Sequence, residues 1–508
     1  MWRWPSSAIK QPEHRSPDAI RATPNSSASC RALSFVLQRP GEANPRMPGQ
    51  SPYNHKKEAS PMFNTLTRMS VGLVQKYLPS PFVFSTLLTL GVLIAGMTAT
   101  GQSLPAMVQH WSGGFWTLLG FAMQMALIFV TGHALASAPI INRQLDRLAA
   151  IARTPGQAII MVTLVALVGC WVNWGFGLVI GAVFARALAR KVAGVDYPLL
   201  VASAYSGFLV WHGGLAGSVP LSMATGGPDL ARITAGVLTE PVSITQTLFS
   251  PLNLTIVALL VIGLPLLNRA MHPRQGAKVA DPAKLVESHA ELPARDTPAQ
   301  RLDDSRILGL ALVAMAGIYL FNHFASKGFV LGLDVVIAIF LFSGLLMHGT
   351  PERYMRAVDE SVRGIGGIVL LFPFYAGIMG MMMGANADGV SLGRQITESF
   401  ISWSSADTFP LLAFLSAGVV NVFVPSGGGQ WAVQGPIMLP AAQALGVSPT
   451  VTAMAIAWGD AWTNMIQPFW ALPLLGIVGL GARDIMGYCL IMLLYSGVVI
   501  CGAFYLLG

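Results

Sequence analysis

The chain has 508 residues, of which 53% are hydrophobic and only 11% carry a charge, and its mean hydropathy is +0.59. An ordinary soluble domain carries about 25% charged residues, so this supply cannot cover a water-facing surface, and we expect the lipid bilayer as the environment. The net charge of +8 is distributed between apolar segments and forms no basic stripe with interleaved aromatics, which argues against nucleic acid as a partner.

Signatures of catalysis and of cofactor binding are absent from the sequence. It contains no GxxxxGK[ST], HExxH or GxSxG motif. The cysteines Cys30, Cys170, Cys489 and Cys501 form no CxxC pair, and three of them lie in apolar segments. We therefore expect no enzyme activity, no ATP hydrolysis, no cofactor, no metal site and no disulfide framework.

The first 61 residues are rich in Pro, Ser and Arg and hold no apolar run. Such a composition predicts a disordered extension, or a translation start that lies near Met62 instead. The acidic residues Glu13, Asp18 and Glu42 argue against a transit peptide. We assign no function to residues 1–61.

The rest of the chain is a series of apolar segments long enough to cross a membrane as helices. Two further apolar regions are too long for one helix and are interrupted by polar or Gly-rich sequence, which predicts helical hairpins at 157–192 and 407–446. The nine predicted spans are 82–100, 115–139, 198–216, 247–268, 306–324, 329–348, 363–385, 449–471 and 485–507.

Lys and Arg residues in short loops indicate the orientation, because cytoplasmic loops are enriched in them. Basic residues precede the first span and follow the second, as in Lys76 and Arg143, whereas the loop at 101–114 has none. The alternation predicts a cytoplasmic N-terminus and an external C-terminus. It also makes the two hairpins enter from opposite sides, as inverted repeats do.

Similar segments recur in the same order in both halves. RQLDRLAAIA precedes CWVNWGFG in the first half, and RQITESFIS precedes VVNVFVPSGGG in the second. The fold class predicted is an all-α polytopic membrane protein with two inverted repeats, each with a hairpin and a broken helix. The predicted boundaries are 62–268 for the first repeat, 269–305 for a cytoplasmic linker, 306–328 for a connecting span and 329–508 for the second repeat.

The stretch from Asn421 to Pro436 is the most informative, because three consecutive glycines after Pro-Ser cannot continue a helix in hydrocarbon. An opened turn offers backbone N–H groups and a helix N-terminus to a carboxylate. The alternative is a tight turn between closely packed helices. Candidate substrate-binding residues here are Asn421, Ser426, Gly427, Gly428, Gly429 and Gln430, and the counterpart turn in the first half supplies Asn173 and Gly175.

An acid, Asp460, lies inside the span at 449–471. Placing it there costs roughly 2.5 to 3.5 kcal/mol on insertion scales, so it should face a cavity or a partner. Helical spacing puts it on one face with Thr463, Asn464 and Gln467, which indicates a pathway wall ended by Pro468. The alternative is a polar cluster that holds helices together.

The matching segment of the first half contains Ser206, His212 and Gly213. His212 could bind substrate or titrate near neutral pH, and it could equally be a neutral hydrogen-bonding histidine.

Four segments resemble the short-chain fatty acid transporter family, the acetoacetate/butyrate permeases. They are LVQKYLPSPFVFSTLLTL from Leu73, SGFLVWHGGLAGSVPL from Ser206, VPSGGGQWAVQGP from Val424 and IAWGDAWTNMIQPFWALPLL from Ile456. The resemblance runs from about Met62 to the C-terminus. It implies uptake of short-chain monocarboxylates across the bacterial inner membrane, and membership of the ion-transporter superfamily, whose members often form homodimers.

Our hypothesis is a secondary transporter with alternating access. The carboxylate is held between the Asn173 and Asn421 turns, its apolar tail lies against Trp431 and neighbouring aromatics, and Asp460 couples transport to a proton or sodium ion. The alternatives are a carrier of dicarboxylates or another organic ion, a passive anion channel, and a membrane scaffold or receptor. The lack of Lys or Arg near either turn argues against dicarboxylates.

Overall fold

The described part of the chain folds into α-helices and the segments that connect them. The computed structural model describes residues 81–273, 275–281, 285, 296–363, 365–467 and 470–508, so the N-terminal extension and the predicted start near Met62 lie outside the described residues. The described residues contain no β-strand, which confirms the predicted all-α class. Helices α1 to α10 are Pro81–Thr100, Leu104–Phe115, Leu119–Ala136, Pro139–Ala149, Pro155–Val172, Trp174–Lys191, Tyr197–Ser206, Ser218–Thr225, Gly227–Ile233 and Pro251–Ala270. Helices α11 to α21 are Pro298–Asp303, Arg306–Lys327, Leu333–His348, Pro351–Val362, Gly366–Met383, Leu392–Trp403, Phe409–Phe423, Gly427–Ala444, Pro449–Thr463, Ala471–Val478 and Ala482–Leu507.

Several of these helices have the length and composition of membrane spans. Among the described residues, five reach that length: Leu119–Ala136, Pro155–Val172, Pro251–Ala270, Pro298–Lys327, which contains α11 and α12, and Ala482–Leu507. The helix observed within the predicted span at 115–139 is shorter than predicted, because it begins at Leu119, after a turn that separates it from α2. Both the N–H and the Oγ1 of Thr117 bond to the carbonyl of Gly114, at 3.0 and 2.7 Å, and this turn separates α2 from α3.

Both predicted hairpins are present. Helices α5 and α6 form the first, with Asn173 between them, and α17 and α18 form the second, with residues 424–426 between them. A proline opens the first helix of each hairpin, where its missing N–H leaves no intrahelical bond unmade.

Each half also contains the predicted broken helix. The chain leaves α7 through a 3-10 turn at Gly207–Val210, and residues 211–217 are non-helical before α8 begins. In the second half α19 ends at Thr463, so the predicted span at 449–471 is not continuous. Residue 468 is a proline and has no N–H for the carbonyl of Asn464. That carbonyl accepts the hydroxyl of Tyr205 at 2.7 Å instead.

The two halves share an order of elements. An amphipathic helix, α4 or α16, precedes each hairpin, and a broken helix and a long apolar helix, α10 or α21, follow it. This order agrees with the proposed repeats, whose inverted orientation stays a prediction. Between the halves, the described part of the predicted linker contains the short helix α11, and α12 corresponds to the connecting span.

Candidate functional site

The turn of the first hairpin is built on Asn173. The Oδ1 of Asn173 accepts the N–H of Phe176 at 3.0 Å, so the residue caps α6, while its Nδ2 donates to the carbonyl of Ile128 at 3.2 Å. The backbone approaches closely here, because a Cβ on Gly175 would lie 2.9 Å from the Phe129 carbonyl. Asn173 and Gly175 are therefore held by capping and packing at the N-terminus of α6.

The turn of the second hairpin is capped in the same way by Ser426. Its Oγ accepts the N–H of Gly429 at 3.3 Å, which satisfies the third residue of α18. The N–H groups of Gly427 and Gly428 make no hydrogen bond within the described part of the chain. Two free donors at the positive end of a helix dipole form a site suited to an anion.

A cavity lies where the four interruptions meet. The first hairpin contributes Trp174, and the second contributes Ser426, Gly427 and Gly428. The broken helices contribute Phe208, Trp211, Ser218 and Trp470, and Met125 and Phe372 complete the lining. Non-helical backbone is tolerated at membrane depth where it is buried in protein or borders such a cavity.

Aromatic rings form most of the cavity wall. The ring centroids of Trp174 and Trp470 lie 5.0 Å apart, and those of Trp174 and Trp211 lie 5.8 Å apart. Phe208 stacks on Trp211 with an interplanar angle of 7°. The buried indole N–H groups of Trp174 and Trp211 have no acceptor among the described residues, so this apolar wall contains two unused donors.

The glycines of the second turn allow the backbone to contact this wall. A Cβ on Gly427 would lie 2.6 Å from the ring of Trp211 and 2.7 Å from the ring of His212. A Cβ on Gly428 would lie 3.0 Å from both Phe121 and Phe372. A side chain at either position would require these rings to shift, which is consistent with glycine at both positions and with a helix N-terminus that is open to the cavity.

His212 and Asp460 form a buried pair directly behind the wall. The Nδ1 of His212 lies 2.9 Å from the Oδ2 of Asp460, and the exposed fractions of the two side chains are 0% and 2%. The His212 ring also stacks on Trp211, with centroids 4.1 Å apart. The Nε2 of His212 accepts the N–H of Val219, a donor in the first turn of α8, at 3.1 Å. We call His212 and Asp460 the buried His–Asp pair.

A second polar group surrounds Asn421. Its Nδ2 contacts the carbonyl of Asp460 at 2.8 Å, the Oγ1 of Thr463 at 3.0 Å and the Oδ1 of Asn464 at 3.1 Å. The Oδ1 of Asn421 and the Nδ2 of Asn464 are buried and have no partner among the described residues. The structure thus brings Asn421 together with Thr463, Asn464 and Asp460, a contact that the sequence did not predict. Thr463 and Asn464 lie at the end of α19 and not along one continuous helical face with Gln467.

The other predicted site residues lie apart from the cavity lining. Ser206 accepts the amide of Asn268 at 3.0 Å, and a Cβ on Gly213 would lie 2.7 Å from Trp458. Gln430 donates to the Ala417 carbonyl at 2.8 Å and to Gln434 at 2.7 Å. Gly429 packs on Tyr375, and Gln467 is buried in the segment after α19.

The sequence analysis did not identify the aromatic residues that line the cavity. Trp431, named as its main aromatic, does not line the cavity, because its indole donates to Ser222 at 3.3 Å elsewhere. Trp174, Trp211 and Trp470 do line it. Each lies within a few residues of a helix interruption, and this proximity is the signal that could have identified them.

The buried polar groups of the site are one acidic side chain and several neutral hydrogen-bond donors. The fully buried polar side chains of the described residues include Asp460 and no Lys or Arg. An anion at the cavity must therefore be stabilised by N–H groups and helix termini. This arrangement suits a small, singly charged ion better than one with two separated charges.

Comparison with known proteins identifies the family of this chain. Residues 62–507 match the family described as short chain fatty acid transporter. A protein of Escherichia coli (strain K12), named provisionally as a short-chain fatty acid transporter, is 47% identical over 442 residues, which are 86% of this chain and 98% of the relative. The chain belongs to the short-chain fatty acid transporter family.

Two further similarities support this membership. A protein of Haemophilus influenzae (strain Rd) with the same provisional name is 44% identical over 453 residues, which are 88% of this chain and 100% of the relative. Among solved structures, the YdaH transporter of Alcanivorax borkumensis aligns with a TM-score of 0.50 and 17% identity, covering 84% of this chain and 98% of that one. The latter similarity concerns the fold. This short-chain fatty acid transporter family member is a multi-pass membrane protein.

Proposed function

We propose that this protein is a secondary active carrier that takes up short-chain monocarboxylates, such as acetoacetate or butyrate, across the bacterial inner membrane. The observation that carries the proposal is the cavity at the four helix interruptions, which combines the free N–H groups of Gly427 and Gly428 with an aromatic wall. A short acid has one charged end and a small apolar tail, and these two features match the donors and the wall.

In this proposal the carboxylate binds at the N-terminus of α18, next to Ser426, with the indole N–H groups of Trp174 and Trp211 as further donors. The apolar tail contacts Phe208, Trp470 and the ring faces of the wall. Asp460 is the coupling group, because a buried acid beside an anionic substrate favours either its own protonation or a cation between them.

The proposal includes alternating access by two inverted repeats, 62–268 and 329–508, with the N-terminus in the cytoplasm. The shared order of elements in the two halves supports the repeats, and the basic loops support the orientation. The homodimer of the wider superfamily is part of the proposal by resemblance alone.

The test is transport by the purified protein in liposomes. Preloaded liposomes should exchange internal unlabelled acetoacetate for external labelled acetoacetate, with saturation, and protein-free liposomes give the leak of the free acid. Excess butyrate should compete, whereas succinate should compete weakly, because no Lys or Arg side chain is buried among the described residues to hold a second carboxylate. Flux without saturation or exchange would indicate a channel, and absence of flux would reject the carboxylate assignment.

A further inference from the structure

The buried His–Asp pair carries a further inference, which rests on the proposed function. We propose that the coupling ion is a proton, that Asp460 binds it, and that His212 stays neutral and acts as a positioning residue for the Asp460 carboxyl group.

The first step is the tautomer of His212. Its Nε2 lies 3.1 Å from the backbone nitrogen of Val219, whose N–H can only donate. The Nε2 atom must therefore accept and carries no proton. A neutral imidazole then has its proton on Nδ1, and this N–H donates to the Oδ2 of Asp460 at 2.9 Å. The pair is a neutral donor and a carboxyl acceptor, and not an ion pair.

The second step is the place that remains for a proton. Protonation of His212 at Nε2 would direct two N–H groups at each other and leave the first turn of α8 without its acceptor. Protonation of Asp460 disturbs neither bond, because a carboxyl group can carry the proton on Oδ1 while Oδ2 still accepts from His212. The geometry favours the carboxyl group as the proton site.

The third step is the charge around Asp460. Helix α19 packs against α17, α18, α8, α21 and the 3-10 turn at Gly207–Val210. Of these elements only α21 contains Asp, Glu, Lys, Arg or His, as Arg483 and Asp484 in its first turn, and its other titratable side chains are tyrosines and cysteines. Apart from the neutral His212, no side chain of these elements therefore supplies a charge beside the buried carboxyl group.

The fourth step connects the pair to the cavity. His212 lies between the cavity and Asp460. A Cβ on Gly427 would lie 2.7 Å from the Cε1 atom of His212, and the Nδ1 of His212 contacts Asp460. A substrate carboxylate at Gly427 and an ionised Asp460 are like charges in a region of low dielectric constant, so each disfavours the other. Binding of the anion therefore favours a proton on Asp460, and the loaded site carries one anion and one added proton without net added charge.

The test separates exchange from coupling in liposomes that contain the whole protein. Exchange of labelled for unlabelled acetoacetate at equal pH reports the carrier alone. Accumulation driven by an acidic exterior, corrected with protein-free liposomes, reports coupling, and a pH gradient of one unit should support up to about tenfold accumulation for a single proton. A sodium gradient at equal pH, with choline as the replacement cation, should support none.

Variants then assign the proton. Asp460→Asn should lose accumulation and retain measurable exchange. His212→Asn should keep pH-driven accumulation, because its amide can still donate to Asp460 and cannot be protonated, whereas His212→Ala should lower the initial rate of accumulation by about tenfold. Asp388→Asn, which changes an exposed loop carboxylate, is the matched control and should behave as the unmodified protein.

Each other outcome has a meaning. Loss of pH-driven accumulation in His212→Asn with exchange intact would place the proton on His212 and overturn the proposal. Accumulation that follows the sodium gradient and ignores pH would also overturn it, while the carboxylate carrier function would stand. An unmodified protein without exchange would reject the proposed function itself.

Discussion

Trp211 connects the proposed substrate cavity with the buried His–Asp pair. One face of its ring lies 4.1 Å from His212, Gly427 packs against its edge, and its buried Nε1 has no acceptor among the described residues. If this N–H binds the carboxylate, Trp211→Phe removes one hydrogen bond to a charged group and keeps a stacking ring. A loss of about 1.5 kcal/mol corresponds to a rise of roughly tenfold in the KM for acetoacetate.

The measurement is the concentration dependence of exchange in liposomes. Trp116→Phe is the matched control, because that ring is 64% exposed and does not line the cavity. An unchanged KM in Trp211→Phe, with normal expression, would show that the indole is not a substrate ligand.

The sequence revealed the polar residues of the site better than the apolar ones. Asn173, Ser426 and Asp460 were identifiable because a cap, a Gly run and an acid are unusual inside hydrocarbon. Trp174 and Trp470 were not, because an aromatic residue in a membrane helix is ordinary and only the fold shows that the two rings approach to 5.0 Å.

At the scale of helices, the crossing of α17 and α19 depends on Gly459. A Cβ there would lie 2.3 Å from the carbonyl oxygen of Phe414 and 2.6 Å from the Cβ of Ala417. Both obstacles belong to or lie next to the backbone, so the helices must separate. Gly459→Ala should therefore destabilise the fold by about 1–3 kcal/mol and displace Asp460, which is the next residue.

This effect is measurable as a lower apparent melting temperature in detergent, together with reduced exchange. Gly502→Ala in α21 provides the comparison, since nothing lies within 4 Å of its added Cβ. A Gly459→Ala variant as stable as Gly502→Ala would contradict the close crossing.

The positions of the two hairpins could be predicted from the local sequence, whereas the end of α19 could not. Asn173 and the Ser426-Gly run terminate helices by themselves. The end at Thr463 needs partners from elsewhere, because the hydroxyl of Tyr205 donates to the Asn464 carbonyl and the Nδ2 of Asn421 donates to the Oδ1 of Asn464. Such contacts span more than 40 positions of the chain and have no local pattern.

At the scale of the whole molecule, the transport unit is expected to begin near Met62. The family match starts at residue 62, and the described helices that form the cavity all follow it. A protein that starts at Met62 should exchange acetoacetate at the same rate per molecule as the full chain. A clear loss of exchange by the shortened protein, inserted at equal density, would assign residues 1–61 a part in transport.

The free donors at Gly427 and Gly428 belong to the main chain. A ligand made of peptide N–H groups is not removed by exchanging one side chain for another, as an arginine or lysine ligand is. Substitutions in such a carrier would change the rings that enclose the apolar tail, such as Phe208 or Trp470. They would leave the main-chain hydrogen bonds to the carboxylate unchanged. We therefore expect relatives that prefer a different acid to differ first at these aromatic positions.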